Sequence, residues 1–515
     1  MHTGPGRLST LRANVEGSKQ VSRGILRWVA LGAAVLAAGM AAGCGAGSKL
    51  ASGGGFGPVP GETTQVTLVA SSAGNDRLVR FGLTLNSLSL TNEAGTSVPV
   101  ISTPQQVEFM HLNGSAEPLL TVSVPQDVYT SATATVGGAS FTCAAQNPSD
   151  DSDTTATYAY GATPNSQVTV HLPEPLTVDG ITMALSLEML VSQSASFPST
   201  CYYSGIAQYS ITPTFNLAAM TLAAEPTDPT NGKLVALEGL WASAGAEAGS
   251  FTLAAADGSP LGTTMKTTWS VKTNSSTAYQ GIGSAGGLTA GMAVDLDGML
   301  QADGSVLATR VAVPDADTTN LVVNTGPLML VASSVPVLNQ VNREAEGSLE
   351  FIDGWPVYNF GNAKFATWGG ILNVASLPFP ASFDAANMVP GQLVAITSHV
   401  TAVGRYPTYA PATVVTLMPQ TINGTVLAEG TAGAFTTYTV GLQPYDLFPQ
   451  FAVQGGQTTL LTNPMQVVVY ADQNTQMANS GSQTVGSVLQ FTGVIFNNNG
   501  TLRMDCIRVA EGVTK

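Results

Sequence analysis

Short runs of alternating apolar and polar residues recur along most of the chain, and this two-residue period is typical of β-strands with one buried face. The clearest case begins at residues 292–296 and resumes after a turn at residues 306–313. Between the two runs lies Asp303-Gly304, a pair that tolerates the backbone angles of a tight hairpin turn. The pattern therefore predicts a β-hairpin over residues 291–313.

This hairpin pattern occurs three times in the chain. A second copy covers residues 486–509 around an Asn-Gly pair, and a looser copy covers residues 391–417. The glycines that lead the three copies are 100 and 95 residues apart. The two outer copies share a further landmark, because residues 271–277 align without a gap with residues 469–475. Recurrence at domain-sized intervals predicts repeated units of roughly 80–100 residues.

Alternation also predicts the direction of the side chains in these hairpins. The positions expected to face inward are Val294, Val311 and Val313 in the first copy, and Val488, Ile507 and Val509 in the last. Asp295 and Asp297 fall on the opposite face of their strand, which is expected to meet solvent. Ser305 is expected outside as well, and the turns at Asp303 and Asn499 are expected to be exposed.

Composition agrees with an all-β fold class. The chain of 515 residues contains 55 Gly and 29 Pro, only 10 % charged residues and 44 % hydrophobic residues, which suits several domains with many turns and real cores. No long, capped helical pattern occurs beyond the N-terminus. Residues 64–223 are predicted to form two packed antiparallel sheets, and residues 225–233 a linker.

The N-terminal domain, residues 64–223, contains motifs that resemble those of a protein family. Its residues Leu83–Leu90, the Leu119-Leu120 pair, Val124-Pro125 with Tyr129, and Ile211-Thr212-Pro213 resemble an uncharacterised family of bacterial exported domains. That resemblance implies an immunoglobulin- or transthyretin-like β-sandwich and brings no known activity. The family usually has glycine where this chain has Asp127, so the local turn is expected to differ.

The repeated units resemble a second family, a domain of unknown function found repeated in bacterial surface proteins. The marks are an opening Glu-Gly, a Phe-Thr pair, the Gly-x-x-Val-x-x-x-Gly strand and the closing Ala308-Thr309-Arg310-Val311. The resemblance implies a small OB-like β-barrel for each repeat. It covers residues 234–317, a divergent second repeat at residues 345–418, and residues 419–511.

The N-terminus reads as a targeting segment. Five basic residues precede an apolar run over residues 28–40, which is too short for a comfortable bilayer span. The run ends in Ala41-Ala42-Gly43-Cys44, which resembles the lipobox of bacterial lipoproteins. Residues 1–43 would then be a signal peptide, Cys44 would carry the lipid, and residues 44–63 would be a flexible tether. The alternative is an ordinary secretory signal.

The charge of the chain argues against two classes of binding partner, and its cysteines suggest a disulfide. Residues 1–43 hold five of the 18 basic and one of the 33 acidic residues, which leaves 13 basic and 32 acidic residues in the remainder. Such an acidic chain is a poor match for nucleic acid or for an anionic membrane surface. For an exported chain, Cys143 and Cys201 are expected to form a disulfide, with two buried thiols as the alternative. Cys506 is expected in a core.

Candidate chemistry is sparse. Beyond residue 43 the histidines are His111, His171 and His399, in unrelated contexts, so neither a zinc site nor a Ser-His-Asp set is expected, and no cofactor is indicated. Three aspartates, Asp150, Asp151 and Asp153, either bind Ca²⁺ or form a solvated loop. Asp295, Asp297 and Asp303 lack the EF-hand spacing.

An aromatic run between residues 351 and 368 offers the other candidate. Trp355, Tyr358 and Trp368 either stack on sugar rings, if they are exposed, or pack the core of the middle repeat. The expected function is therefore a non-catalytic, lipid-anchored module of the bacterial cell envelope, extended and used for adhesion or as a scaffold. A binding protein for an envelope polysaccharide is the alternative, and an enzyme of unknown class the third.

Lipid attachment can be tested directly. Cys44→Ala is expected to abolish incorporation of labelled palmitate, because the thiol of Cys44 is the proposed acyl acceptor. Incorporation is measured in living cells, with Cys506→Ala as the matched control that keeps Cys44. Unchanged labelling of the Cys44→Ala chain would contradict a lipoprotein.

Overall fold

A computed structural model provides the fold. It describes residues 57–73, 78–146, 153–159, 166–196, 210–220, 222, 232–256, 265–332, 335–338, 342–345, 348–350, 357–369, 374–400, 408–444, 446–454, 461–478 and 481–512. These residues form an all-β structure, as predicted, and lie within one compact unit, residues 51–515. Among them, no helix has the length and apolar character needed to cross a membrane.

The N-terminal sheet has eleven strands around one core. Its strands are β1 Thr63–Ala73, β2 Leu78–Asn92, β3 Ser97–Ile101, β4 Gln105–Glu108, β5 Ala116–Pro125, β6 Asp127–Gln146, β7 Asp153–Ala159, β8 Ser166–His171, β9 Leu176–Val178, β10 Thr182–Leu190 and β13 Phe215–Met220. Between β10 and β13 the chain forms a short helix, α1 (Val191–Ser194), and a separate two-stranded sheet of β11 Ala195–Ser196 and β12 Ser210–Ile211. The path β3-β2-β6-β8-β13-β10-β1-β5 is continuous, and β1–β10 and β8–β13 are parallel pairs. Two separate antiparallel sheets were expected; hydrogen bonding instead joins these strands into one mixed sheet.

The first barrel-like sheet contains the first predicted hairpin. Its strands are β14 Lys233–Ala244, β15 Phe251–Ala256, β16 Met265–Lys272, β17 Ala278–Gln280, β18 Ala293–Leu300 and β19 Val306–Ala312, with a 3₁₀ turn at Ala285–Gly287. The order is β16-β15-β14-β18-β19-β17, and a parallel pairing of β16 with β19 closes the sheet on itself. Apolar side chains of β14 to β19 fill its interior.

The middle sheet starts earlier than predicted. Its strands are β20 Leu321–Ala332, β21 Val335–Leu338, β22 Asn342–Ala345, β23 Ser348–Glu350, β24 Val357–Asn359, β25 Lys364–Thr367, β26 Leu393–His399 and β27 Thr408–Leu417, with a 3₁₀ turn at Val374–Ser376. Strand β20 is central, pairing with β26 as β14 pairs with β18, although it lies before the predicted boundary at residue 345. The path β23-β22-β20-β26-β27, with β25 beside β27, repeats the order of the first barrel-like sheet.

The last barrel-like sheet has the same order and the same closure as the first. Its elements are β28 Gln420–Ala432, β29 Phe435–Leu442, helix α2 Leu447–Gln454, β30 Gln466–Ala471, β31 Gln476–Ala478, β32 Val488–Asn498 and β33 Thr501–Glu511. The order is β30-β29-β28-β32-β33-β31, closed by a parallel pairing of β30 with β33. Asn499 and Gly500 both adopt positive φ angles, 50° and 86°, in the turn between β32 and β33. The equivalent turn between β18 and β19 has Gly304 at φ 78°.

The predicted side-chain directions are mostly right, with three errors, at Val488, Ser305 and Asp297. Five of the six inward positions are buried in the cores, but Val488 is only partly buried, because it is the first residue of β32 and the core takes Leu489 and Phe491 instead. Ser305 is buried rather than outside. The cause is tertiary: a Cβ at Gly304 would lie 2.9 Å from Thr121 Oγ1, so this turn packs on the N-terminal sheet.

A charge at Val311 should unfold the first barrel-like sheet. Val311 is fully buried, so Val311→Asp would place an unpaired carboxylate in an apolar core and is expected to cost at least about 4 kcal/mol of unfolding free energy. Ser270→Asp is the matched control, since Ser270 is exposed on β16. Chemical denaturation measures both variants, and equal, small effects would contradict the barrel-like packing.

Candidate functional site at the junction of the sheets

Residues 109–118, a loop together with the first three residues of β5, touch both barrel-like sheets and are here called the junction loop. Its three hydrogen bonds to them run from the Thr421 N–H to Asn113 Oδ1 (2.8 Å), from Ser115 Oγ to the Ala236 carbonyl (3.1 Å), and from Trp269 Nε1 to the Pro118 carbonyl (3.1 Å). Gly114 has φ 89°, and a Cβ there would lie 2.7 Å from the Pro419 carbonyl oxygen. Glycine thus permits both the turn and the close approach.

A buried carboxylate holds the start of the junction loop. Glu108 is fully buried at the end of β4. Its Oε1 accepts the N–H of Phe81 (2.7 Å) and of Met110 (3.0 Å), and its Oε2 accepts the N–H of His111 (2.8 Å). Three backbone donors on one carboxylate offset the cost of burying its charge.

His111 is clamped between two carboxylates. Its Nδ1 lies 3.1 Å from Glu108 Oε2, and its Nε2 lies 2.9 Å from Glu117 Oε1. Burial alone would lower the pKa of His111, but the charge of Glu117 and the hydrogen bonds with Glu108 and Glu117 outweigh burial and raise that pKa to about 10. The imidazole is therefore protonated at neutral pH, where it serves as a charge-assisted link and not as a general base.

A small cleft opens beside this cluster. It is lined by His111, Asn113 and Ser115 of the N-terminal sheet, by Glu238 of the first barrel-like sheet and by Thr325 of the middle sheet. Thr325 Oγ1 donates to Glu238 Oε1 at 3.2 Å. Polar groups from three sheets converge here, and each of these five side chains already has a hydrogen-bond or ion-pair partner among the described residues. The cleft can bind a small polar group, but it lacks a histidine free to move a proton.

A second charged cluster joins the first barrel-like sheet to the middle sheet. Arg310 Nε donates to Asp297 Oδ2 at 3.0 Å, and the guanidinium lies 3.5 Å from the centre of the Trp368 ring. Arg310 Nη1 also reaches Gln280 Oε1 at 3.3 Å, and Asp297 Oδ1 accepts the Ala236 N–H at 3.0 Å. A buried ion pair, a cation–π contact and backbone capping thus meet at one point.

The prediction that Asp295 and Asp297 meet solvent is wrong for Asp297. The two aspartates do share one face of β18, opposite Leu296, but Asp297 is only 1 % exposed because the middle sheet covers that face. Burial and the nearby charge of Glu238, the cross-strand neighbour of Asp295, raise the pKa of Asp295 well above its usual range. Burial likewise raises the pKa of Asp297, although Arg310 opposes the effect.

Asp303 behaves as predicted, on an exposed turn. Its Oδ2 lies 2.6 Å from Lys272 Nζ, and its Oδ1 accepts hydrogen bonds from the Ser305 N–H and hydroxyl. Partial burial would raise the pKa of Asp303, but the bonds with Lys272 and Ser305 lower it to about 2. These are turn-forming contacts, and they give the Asp-Gly turn its fixed shape.

The aromatic candidates lie in the core where the structure describes them. Tyr358 is fully buried and bonds with the Asn324 side chain, and Trp368 is 1 % exposed beneath Arg310. Neither presents a free ring face to a sugar. Trp355 lies outside the described residues. Of the two interpretations of this aromatic run, core packing holds for Tyr358 and Trp368.

The remaining candidates are dispersed. His399 contacts Asp315 Oδ2 (3.0 Å) and the Thr319 carbonyl (2.8 Å), whereas His171 is exposed on β8. Cys506 is a buried free thiol whose pKa is raised by burial. Cys44, Cys201, Asp150 and Asp151 lie outside the described residues; for Cys143 and Asp153 the structure describes only the strand. In the parts that are described, no group of three His, Cys, Asp or Glu residues is placed to hold a metal ion.

Sequence reasoning missed Glu108, Glu117 and Arg310 as junction residues. The available signal was their charge: in a chain with only 10 % charged residues, each charge beside a strand is unusual. Alternation alone could not show which other sheet would cover them.

Comparison with known protein families gives a match over part of the chain. Residues 243–312, which extend from the end of β14 to the end of β19, match the sequence model of DUF5666, a domain of unknown function. No curated protein and no solved structure matches the chain. The match covers the sheet that contains Asp295, Asp297 and Arg310, and it assigns them no activity.

Removing Arg310 should destabilise the junction strongly. Arg310→Ala leaves the buried Asp297 carboxylate uncompensated and is expected to cost about 3–5 kcal/mol of unfolding free energy. Lys272→Ala is the matched control: it breaks the Lys272–Asp303 ion pair, whose partners are 36 % and 54 % exposed, and should cost about 0–1 kcal/mol. Chemical denaturation compares them, and similar small costs would contradict a structural role for Arg310.

Proposed function

We propose that this chain is a lipid-anchored protein of the bacterial cell envelope, at the outer membrane, that acts as a rigid, non-catalytic adhesion or scaffold module. Its membrane contact would be the lipid on Cys44 alone, and its partner an envelope protein. Nucleic acid is a poor candidate partner, because the chain carries 18 basic against 33 acidic residues. The match to a domain of unknown function is compatible with this proposal and does not specify it.

The observation that carries the proposal is how the chain uses its few reactive side chains. His111 is bound by Glu108 and Glu117, and Arg310 is bound by Asp297 and Trp368. Each set links elements of different strands or sheets. A catalytic site would need at least one such group placed beside open space with its proton or lone pair available. These contacts favour a protein whose polar residues hold sheets together.

Polysaccharide binding through aromatic residues of the middle sheet is the second candidate. It receives less support, because Tyr358 and Trp368 lie in the core. Within the aromatic run it would depend on Trp355 or on other rings outside the described residues. An enzyme of unknown class is third; the small polar cleft beside His111 is its best location.

Binding experiments on one preparation separate the three. The full-length chain is purified in mild detergent and assayed for co-sedimentation with purified envelope polysaccharide, for cross-linking to protein in isolated envelopes, and for turnover of glycoside and ester substrates. The proposal expects a specific cross-linked protein, no sedimentation with polysaccharide and no turnover. Sedimentation that is lost in Trp355→Ala would favour the second candidate, and turnover that is lost in Glu238→Gln would favour the third.

A variant without the proposed lipid anchor is the matched control for the cross-linking experiment. Cys44→Ala should release the chain from the membrane fraction and remove the cross-links in intact cells, because the proposed anchor is lost while the fold remains. Cross-links that persist at the same yield in Cys44→Ala cells would contradict a module that works by anchoring.

A further inference from the structure

The two barrel-like sheets correspond residue by residue, and the correspondence pairs Arg310 with Arg508. Asp297 lies opposite Arg310 between β18 and β19, and Thr492 lies opposite Arg508 between β32 and β33. In both hairpins the register shifts directly after these pairs, at Gly298 and at Gly493.

A second landmark confirms this alignment. Thr277 Oγ1 donates to the Ala308 carbonyl (2.7 Å), and its counterpart Thr475 Oγ1 donates to the Cys506 carbonyl (3.0 Å). Arg310 and Arg508 each follow two residues after those carbonyls. The two arginines therefore occupy the same position of the same fold.

Their surroundings differ in charge. Arg310 has the Asp297 carboxylate opposite and the Asp295–Glu238 pair beside it. At the corresponding positions of the last barrel-like sheet stand uncharged residues, Thr492, Gln490 and Asn423. Thr492 Oγ1 is already bonded to Thr421 Oγ1 at 2.9 Å. At the cross-strand position Arg508 thus lacks the carboxylate that Asp297 gives to Arg310.

The described part of the chain provides Arg508 Nε with no hydrogen-bond acceptor. The carboxyl group of Glu188, on β10, lies near enough for Arg508 and the Asn216 side chain to lower its pKa, but no ion pair between Glu188 and Arg508 occurs among the described residues. Burial raises the pKa of Glu188, which weakens it as a permanent counter-charge. Among the described residues the Nε of this half-buried arginine therefore has no acceptor, and an anion that enters from solvent can supply one.

Arg508 lines a cleft between the N-terminal sheet and the last barrel-like sheet. Lys233, Ser72 and Gln490 line the same cleft. Ser72 is 5 % exposed and Gln490 is 4 % exposed, yet Ser72 Oγ and Gln490 Oε1 have no hydrogen-bond partner in the described structure. Buried polar atoms are nearly always paired in native proteins, so these two atoms mark the cleft as a place where a polar molecule belongs.

We propose that this cleft binds a small organic carboxylate that also carries a hydroxyl group. The ligand carboxylate accepts hydrogen bonds from Arg508, in the role that Asp297 fills for Arg310, and from the Ser72 hydroxyl. The ligand hydroxyl donates to Gln490 Oε1. This site goes beyond the proposed scaffold function, since its ligand is a small molecule, and each proposal stands if the other fails.

Two features select this ligand class over phosphate or a neutral polyol. Each of the two cations that line the cleft already interacts with an acidic group, Arg508 with Glu188 and Lys233 with Asp472, which disfavours a doubly charged phosphate. A neutral polyol could satisfy Ser72 and Gln490 but would leave the Arg508 charge without a partner. The ligand carboxylate pairs with the charge of Arg508, and the ligand hydroxyl donates a hydrogen bond to the amide oxygen of Gln490.

Lactate is the probe. Calorimetric or NMR titration of the full-length chain is expected to show one lactate site. Propionate, which lacks the hydroxyl, should bind about fivefold more weakly, as expected for one lost hydrogen bond. Glycerol and inorganic phosphate should not compete with lactate. Failure of the wild-type chain to bind lactate, or displacement of lactate by phosphate or glycerol at equal concentration, would overturn the proposal.

Substitutions then locate the site. Arg508→Gln should weaken lactate binding at least tenfold, whereas Lys272→Gln, which removes one exposed positive charge elsewhere, should leave binding unchanged. Thr492→Asp should also abolish lactate binding, because it supplies Arg508 with the carboxylate that Asp297 gives to Arg310. Unchanged binding in Arg508→Gln or in Thr492→Asp would overturn the proposal.

A third variant covers the case in which Arg508→Gln or Thr492→Asp does not fold. Ser72→Ala removes one hydroxyl from a small side chain and should weaken lactate binding about fivefold while the chain keeps its thermal unfolding temperature. Binding that is equal in Ser72→Ala and in the wild-type chain would place lactate elsewhere and overturn the assignment of this cleft.

Discussion

The junction depends on the buried carboxylate of Glu108. That side chain accepts the backbone N–H groups of Phe81, Met110 and His111, and so it fixes the start of the junction loop against strand β2. From this start the loop continues to contacts with both barrel-like sheets. No apolar or uncharged replacement can accept all three donors with the same strength, since a carboxylate provides several acceptor positions and a full negative charge. The positive charge of His111 in turn offsets part of the negative charge of Glu108 and Glu117.

The two barrel-like sheets have the same fold but pack against different neighbouring sheets. Strand order, closure, the bulge and the Thr-to-carbonyl bond are common to both. In the first, the face that carries Arg310 is covered by the middle sheet, and the sheet supplies its own carboxylate for the arginine. In the last, the face that carries Arg508 meets the N-terminal sheet across a cleft. The two arginines therefore differ in their partners: where a neighbouring sheet covers the arginine and excludes water, the same barrel-like sheet supplies a carboxylate for it.

Local sequence rules predicted the hairpins and their turns, because alternation and the Asp-Gly and Asn-Gly pairs act within a few residues. They also placed Asp295 and Asp297 correctly on one face of their strand. They could not show that another sheet covers that face, nor that the Gly304 turn packs on Thr121 and buries Ser305. The middle sheet was placed too late for a similar reason: its opening strand β20 is defined by pairing with β26, about 70 residues away, and not by its own pattern. The sequence pattern could not predict which sheets cover one another or which distant strands pair.

Native-state hydrogen exchange of the Glu108→Gln chain tests most directly whether this buried carboxylate holds the sheets together. Exchange is read by mass spectrometry and compared with the wild-type chain under identical conditions. If the junction loop is the common link, protection falls in the loop and also in β14 and β28, the strands of the other sheets that it contacts. Loss of protection confined to residues 78–118, with β14 and β28 unchanged, would contradict the account.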